Sequence, residues 1–263
     1  MSVQAPQDSY FKKSNRWDLF RKVVFRVSLV ISVTLTFLST KYEKLDLNII
    51  NNGVLILSLI LLFIAENQED GNRSEGDRVR RRELIGNSFK KPYNDDSSIE
   101  YYNNDEIDSG LYKLITNLFE SCFWSLEVSS RMKDKELIKS LIIGGVLILI
   151  AIYGLGNSLI AIPILQLFLS KDIIARYLTI NNYNKEVSNI FDEVKSLFRE
   201  HSDVSTNKEH IIIDILLRYE CNIAGSKITL RSKIFSSKKK KYIQEHKELE
   251  EKWNKIKREY NIR

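Results

Sequence analysis

The chain carries only two cysteines in 263 residues, Cys122 and Cys221, with no CxxC or other paired spacing. That excludes a disulfide framework and fits a reducing cytosol. Cys122 falls on an apolar helical face, which predicts a buried, inert thiol. Histidine is almost as scarce. His201, His210 and His246 stand in polar or helical contexts without metal-ligand spacing, so no metal is predicted. GxSxG and Walker A patterns are missing. Gly154-Leu155-Gly156 is too short for a phosphate loop and lies between apolar stretches, where it reads as a turn. No catalytic residue can be assigned, no cofactor is implied, and the chain reads as a non-enzyme. A secretory signal is not expected either: basic residues precede Val23–Ser39, but no convincing small-residue cleavage site follows.

What is abundant is apolar sequence gathered into blocks. Leu137 to Ser170 has one charged residue, Lys139, and no polar stripe at helical spacing. A soluble surface helix keeps one wet face. This stretch reads as two membrane-embedded helices joined at Gly154–Asn157, with Pro163 kinking the second arm. Two earlier blocks, Val23–Ser39 and Leu47–Ala65, are about 17–19 residues each, near the lower limit for crossing a hydrocarbon core of roughly 30 Å. They form the first hairpin. The fold class expected is all-α: an integral membrane protein with two transmembrane hairpins, four short spans in total, and a cytosolic helical region.

The rest is strongly charged; charged residues make up 28% of the chain. Residues 1–22 form a basic N-terminal flank, in which Trp17 and Phe20 beside Arg16, Arg21 and Lys22 suit a headgroup boundary. Residues 23–65 are the first hairpin, and 66–136 a cytosolic loop plus amphipathic helix. Residues 137–170 are the second hairpin, and 171–263 a cytosolic stalk and helical C-terminal domain. The loop is read through Pro92 to Asp108, with Asp108 or Ser109 as a helix cap. Leu111, Leu114, Ile115, Leu118, Phe119, Cys122, Phe123 and Leu126 then recur at helical spacing. That face either packs on other cytosolic helices or lies in the membrane interface.

The stalk keeps Val187, Ile190, Phe191, Val194, Leu197 and Phe198 on one side. A helix over about Asn207–Phe235, capped by Thr206 or Asn207, follows. Lys238–Lys241 reads as a solvated turn, and a last helix carries Ile243, His246, Leu249, Trp253, Ile256 and Tyr260. These helices suit a small bundle or a coiled-coil oligomer.

The net charge is +6, from 40 Lys and Arg against 34 Asp and Glu. Basic flanks facing anionic lipid explain it without specific nucleic-acid binding. The bias places both termini and the central region in the cytoplasm of a multi-pass inner-membrane protein. Arg78, Arg80, Arg81 and Arg82 are the densest arginine cluster, fit for lipid phosphate or a phosphorylated ligand. The spans hold no acid or histidine, which argues against proton-coupled transport. Their polar atoms, on Ser28, Ser32, Thr34, Thr36, Ser58, Ser158 and Gln166, can bond between helices or line a narrow pore. A pore would need several protomers.

This layout resembles the SMODS-associated four-transmembrane effectors of bacterial anti-phage conflict systems. Residue cues are Arg82-Glu83-Leu84-Ile85-Gly86-Asn87-Ser88-Phe89, where the family pattern expects Asp in place of Gly86. Further cues are Tyr101-Tyr102-Asn103-Asn104, Leu111-Tyr112-Lys113-Leu114 and Asn117-Leu118-Phe119-Glu120. Pro163-Ile164-Leu165-Gln166-Leu167-Phe168-Leu169 and the tail Trp253-Asn254-Lys255-Ile256-Lys257-Arg258-Glu259-Tyr260 are similar too. The resemblance implies a pore-forming effector that oligomerises with itself. Its trigger would be a nucleotide second messenger made by a partner nucleotidyltransferase. The family-like residues are Asn87, Ser88, Phe89, Tyr101, Tyr102 and Glu120, and Pro163 is the candidate for coupling the stalk to the membrane arm. The alternative of a different class is a non-conducting, membrane-anchored interaction module; a small solute channel is a third.

Overall fold

The computed structural model describes residues 7–41, 47–91, 104, 106–153, 174–200, 208–228, 230 and 240–262. These are helical almost throughout: α1 Asp8–Lys41, α2 Asn48–Phe89, α3 Leu111–Tyr153, α4 Ile174–Glu200, α5 Glu209–Ser226 and α6 Lys240–Glu259. No strand occurs among the described residues. The chain divides into two compact units. One, the seam unit, comprises Gln7–Gly76 and Glu136–Tyr177; the other, the core unit, contains Asp77–Lys135 and Leu178–Arg263.

In the seam unit α1 and α2 pair antiparallel. Phe11 meets Gly76, and Arg21 Nε donates to Glu69 Oε2 at 3.2 Å. A Cβ at Gly76 would come within 2.9 Å of the Phe11 ring, so this close approach requires glycine. The buried side chains along this pair are small or polar: Ser14, Asp18, Ser58, Ala65, Glu69 and Arg73. Large apolar residues point away, among them Val30, Phe37, Leu59 and Phe63, each more than half exposed. That is the inverse of a water-soluble pair, in which apolar burial drives association. Small residues between helices and bulky apolar ones outside are the pattern of helices packed in lipid.

Asp8–Ser39 and Ile49–Phe89 are long and apolar enough to cross a membrane, and their apolar windows are 0% and 11% buried. The hydroxyls of Ser28, Thr34 and Ser58 donate to carbonyls of their own helices, those of Phe25, Val30 and Leu55, at 2.8–2.9 Å. The second apolar hairpin falls partly outside the described residues, which stop at Tyr153 and resume at Ile174. The described part of α3 past Glu136 exposes Ile138, Leu141, Ile142, Val146, Ile148 and Leu149. Arg176 Nε lies 3.2 Å from Glu136 Oε1, so the chain enters this unit after α3's first half and leaves it again at neighbouring points.

The core unit is built the ordinary way. Leu114, Ile115, Leu118, Phe119, Cys122 and Phe123 of α3 pack against Tyr183, Val187, Ile190, Phe191, Val194, Leu197 and Phe198 of α4. Ile212, Ile215 and Tyr219 of α5 and Leu249 and Trp253 of α6 close the cluster. Burying each large side chain stabilises the unit by about 1.5–3 kcal/mol. The apolar face of α3 is therefore a helix-packing face.

Boundaries of four helices differ from the sequence reading. The charged run after Ala65 is helix, not loop: α2 continues to Phe89. Glu69 bonds Arg73 one turn on, at 2.7 Å, and Leu84 is buried in the core, so pairing and packing outweigh Gly71 and Gly76. α2 ends in a left-handed turn at Lys90, with Lys91 N donating to Gly86 O at 3.0 Å. α3 starts after Gly110, whose φ of +144° suits glycine alone, rather than capping on Asp108 or Ser109. α5 is shorter than Asn207–Phe235. It opens after Lys208, without a side-chain cap, and closes at Ser226 because Lys227 turns left-handed. At the other end of the predicted lysine turn, Lys240 and Lys241 belong to α6.

Candidate functional site

The C-terminal turn of α2 and the first turns of α3 come together in a buried amide network. Asn117, fully buried on α3, donates through Nδ2 to Asn87 Oδ1 at 2.8 Å and to Ser88 Oγ at 3.1 Å. Its own Oδ1 accepts from Asn104 Nδ2 at 2.9 Å, which also donates to Glu120 Oε2 at 2.9 Å. The Ser88 hydroxyl donates to Leu84 O at 2.6 Å, and its carbonyl accepts from Gly110 N at 2.9 Å. One continuous path of hydrogen bonds thus ties Asn104 to α3 and, through Asn117, to α2. In a low-dielectric interior such a network is strong when complete and costly when broken.

Three of the family-like residues, Asn87, Ser88 and Glu120, meet here, and Phe89 packs at the edge of the apolar core. Tyr101, Tyr102 and Pro163 lie outside the described residues. Asn104 and Asn117 complete the network, although neither stood out by itself in the sequence. The signal for Asn117 was its place: an asparagine beside Leu118 and three residues from Leu114, inside an apolar stripe, needs a partner.

Burial raises the Glu120 carboxyl above the usual carboxylate range; the Asn104 amide, the Lys257 charge and the Trp124 indole pull the other way. A carboxyl raised on folding binds more protons in the folded than in the unfolded state. Stability is then fully present below the unfolded value and falls as pH rises through the folded one. Glu120→Gln keeps an acceptor for Asn104 and cannot ionise. It is expected to raise the melting temperature at pH 7 and to flatten the decline above the carboxylate range, read by thermal denaturation from pH 4 to 8. An unchanged pH profile would contradict the assignment.

The arginine cluster does not share one face. Arg80 turns inward, its Nη2 2.5 Å from Glu220 Oε2 and its Nε 3.9 Å from Asp77 Oδ1. Arg78 and Arg82 are exposed one turn apart, and Arg81 is half-buried. Beside the Arg80–Glu220 pair, Tyr219 and Ser125 bond hydroxyl to hydroxyl at 2.9 Å. Burial pushes the Tyr183 phenol up to about 12, Tyr219 well above its ordinary value, and the Cys122 thiol up as well, so none ionises near neutrality. Cys221 is exposed and Cys122 buried.

An open depression of about 680 Å³ on α6 is lined by Glu251, Asn254, Lys257, Arg258 and Ile262. Its charges are mixed. His246 stacks on Trp124 at 5.4 Å and sits 3.3 Å from Glu250. Among the described residues no group of three His, Cys, Asp or Glu is placed to hold a metal ion. The arrangement positions chain segments; what it offers chemically is hydrogen bonding and charge. No protein-family model, no curated protein and no solved structure was found to match the chain.

Proposed function

We propose that the chain is a non-enzymatic effector of the bacterial inner membrane that permeabilises or depolarises it during phage infection. A nucleotide second messenger from a partner nucleotidyltransferase is the trigger, and several copies assemble to form the conducting path. The observation that carries the membrane part is the inverted α1/α2 pair, with bulky apolar residues outside and small or polar ones between the helices. The meeting of Glu136 and Arg176 supports a second hairpin over 137–170, which would make four spans with both termini cytoplasmic. The defence role and the messenger rest on the resemblance of the layout and of the segments around Asn87, Ser88 and Glu120. On this reading the core unit receives the signal, and the arm through Pro163 transmits it.

The test is co-expression with a candidate synthase from the same locus, followed by a membrane-potential dye after phage challenge. Depolarisation that requires both proteins is the expected result. Unchanged potential and growth would sink the proposal.

One observation favours the alternative, a membrane-anchored interaction module that conducts nothing. Ile213 and Leu217 stand one turn apart on α5, each about half exposed, on the packed core unit. In addition, the Ser28, Thr34 and Ser58 hydroxyls are occupied within their own helices. A module of that kind captures a partner through α5 while the potential stays constant, and Ile213→Glu abolishes the capture.

A further inference from the structure

Between Leu19 and Phe37, α1 carries three cations, Arg21, Lys22 and Arg26, and no acid. The first two turn into the seam with α2. Arg21 bonds Asp18 and Glu69, each at 3.2 Å, and Lys22 lies 2.8 Å from Asp18. Arg26 does the opposite. It is exposed on one stripe with Leu19, Val23, Val30, Thr34 and Phe37, all exposed and all at helical spacing. It is the one charge on that stripe, and among the described residues it has no hydrogen-bond or ion-pair partner. Glu66 and Asp70, further acids at this end of α2, have partners other than Arg26.

A cation within an apolar surface is stable only where something accepts its hydrogen bonds. The Cα–Cβ bonds of a helix tilt toward its N-terminus, so an arginine at position 26 leans back over the turn that holds Val23 and Leu19. At that end of α1, Lys12, Lys13 and Arg16 are exposed, and Trp17 meets Phe20 edge to face with ring centres 5.7 Å apart. Aromatic rings and basic side chains gather where hydrocarbon gives way to headgroups. The sequence points to Arg21 and Lys22 as cations for that boundary. With both turned inward, Arg26 is the cation of this block that meets it. A guanidinium offers two parallel donors to a phosphate, and an anionic headgroup supplies the charge that the neighbouring valines cannot.

We propose that Arg26 binds the phosphate of an anionic lipid headgroup, leaning out of the apolar stripe toward Leu19. This rests on the membrane reading of α1 and adds to it a contact that fixes how deep the helix sits.

The test uses the full-length protein, one copy per phosphatidylcholine nanodisc. Its melting temperature is followed as phosphatidylglycerol replaces phosphatidylcholine. The wild type is expected to rise to a plateau. Arg26→Gln should need about fivefold more phosphatidylglycerol for half of that rise, the weight of one basic residue at an anionic surface. Arg26→Lys should fall between the two, keeping the charge without the two-pronged geometry. Lys247→Gln, at an exposed position of α6, should respond as the wild type does. A wild type indifferent to phosphatidylglycerol, or Arg26→Gln indistinguishable from it, overturns the site. So does an Arg26 effect that appears only in discs holding several copies, which assigns the guanidinium to a carboxylate of a second copy. Depth is read separately. In a Cys221→Ser background, Val30→Cys carries a fluorophore and the lipid acyl chains carry bromine; Cys122 is buried and stays unlabelled. Quenching puts α1 in lipid, and a missing Arg26 effect then sinks the phosphate site alone. Without quenching the membrane reading falls, and the site falls with it.

Discussion

Phe119→Ala is expected to lower the stability of the full-length protein by about 3–5 kcal/mol, the range for deleting a buried aromatic ring. Phe119 is fully buried and is the hub of the core unit. Its ring lies 4.9 Å from Phe191, 5.5 Å from Phe198, 5.3 Å from Trp253 and 6.0 Å from Tyr260. Those neighbours come from α4, from α6 and from the turn after it, so truncation opens a cavity that no single side chain can refill. Aromatic pairs of this kind add about 0.5–1.5 kcal/mol each beyond their buried area. Thermal or denaturant unfolding in neutral detergent reads the loss. Leu149→Ala is the matched control: Leu149 is 54% exposed on the other half of the same helix, and its removal should leave the midpoint unchanged. Equal loss in both variants would show that the core is not organised around Phe119.

Arg80→Gln is expected to cost about 3–5 kcal/mol, because it leaves the Glu220 carboxylate buried without its cation. Both side chains are about one-eighth exposed; Arg80 bonds Glu220 Oε2, and Oε1 has no hydrogen-bond partner. The pair also stands against Tyr219, whose ring is 6.0 Å from the guanidinium carbon. Replacing both partners by apolar residues, Arg80→Met with Glu220→Leu, should recover most of the loss, since two desolvation penalties disappear together. A double-mutant cycle on unfolding free energies measures the coupling. Additive losses, with the double variant worse than either single one, would mean that the pair carries no mutual stabilisation. The same experiment tests the arginine cluster: if Arg80 serves the fold, Arg82→Gln at the exposed end of the run should leave stability unchanged.

Much of the architecture was legible in residue spacing. The stripe from Leu111 to Leu126 and the stalk residues Val187 to Phe198 pack as their periodicity requires. A helix with one apolar face has one way to remove it from water. The long apolar blocks were legible for the opposite reason, having no wet face at all; two of the helices that carry them are long and apolar enough to span a membrane. The continuation of α2 to Phe89 was not legible, because charge and glycine after Ala65 suggest a loop, whereas ion pairs and the burial of Leu84 hold the helix. The positive φ values at Lys90 and Lys227 were equally hidden, since lysine gives no local signal for a left-handed turn.

The candidate site divides along the same line. Asn87, Ser88 and Glu120 drew notice as parts of familiar segments, yet what joins them is Asn117, whose amide bridges α2 and the chain at Asn104. Hydrogen bonds across 13–30 positions of sequence depend on how helices cross, which a local pattern does not contain. By itself the amino-acid sequence determined where apolar surface lies on each helix, because side-chain chemistry and helical period are local properties. The tertiary structure alone decided which polar groups are buried together: Asn117 with Asn87 and Asn104, and Arg80 with Glu220. A polar side chain costs free energy only where burial removes its water, and burial is settled only when the helices pack.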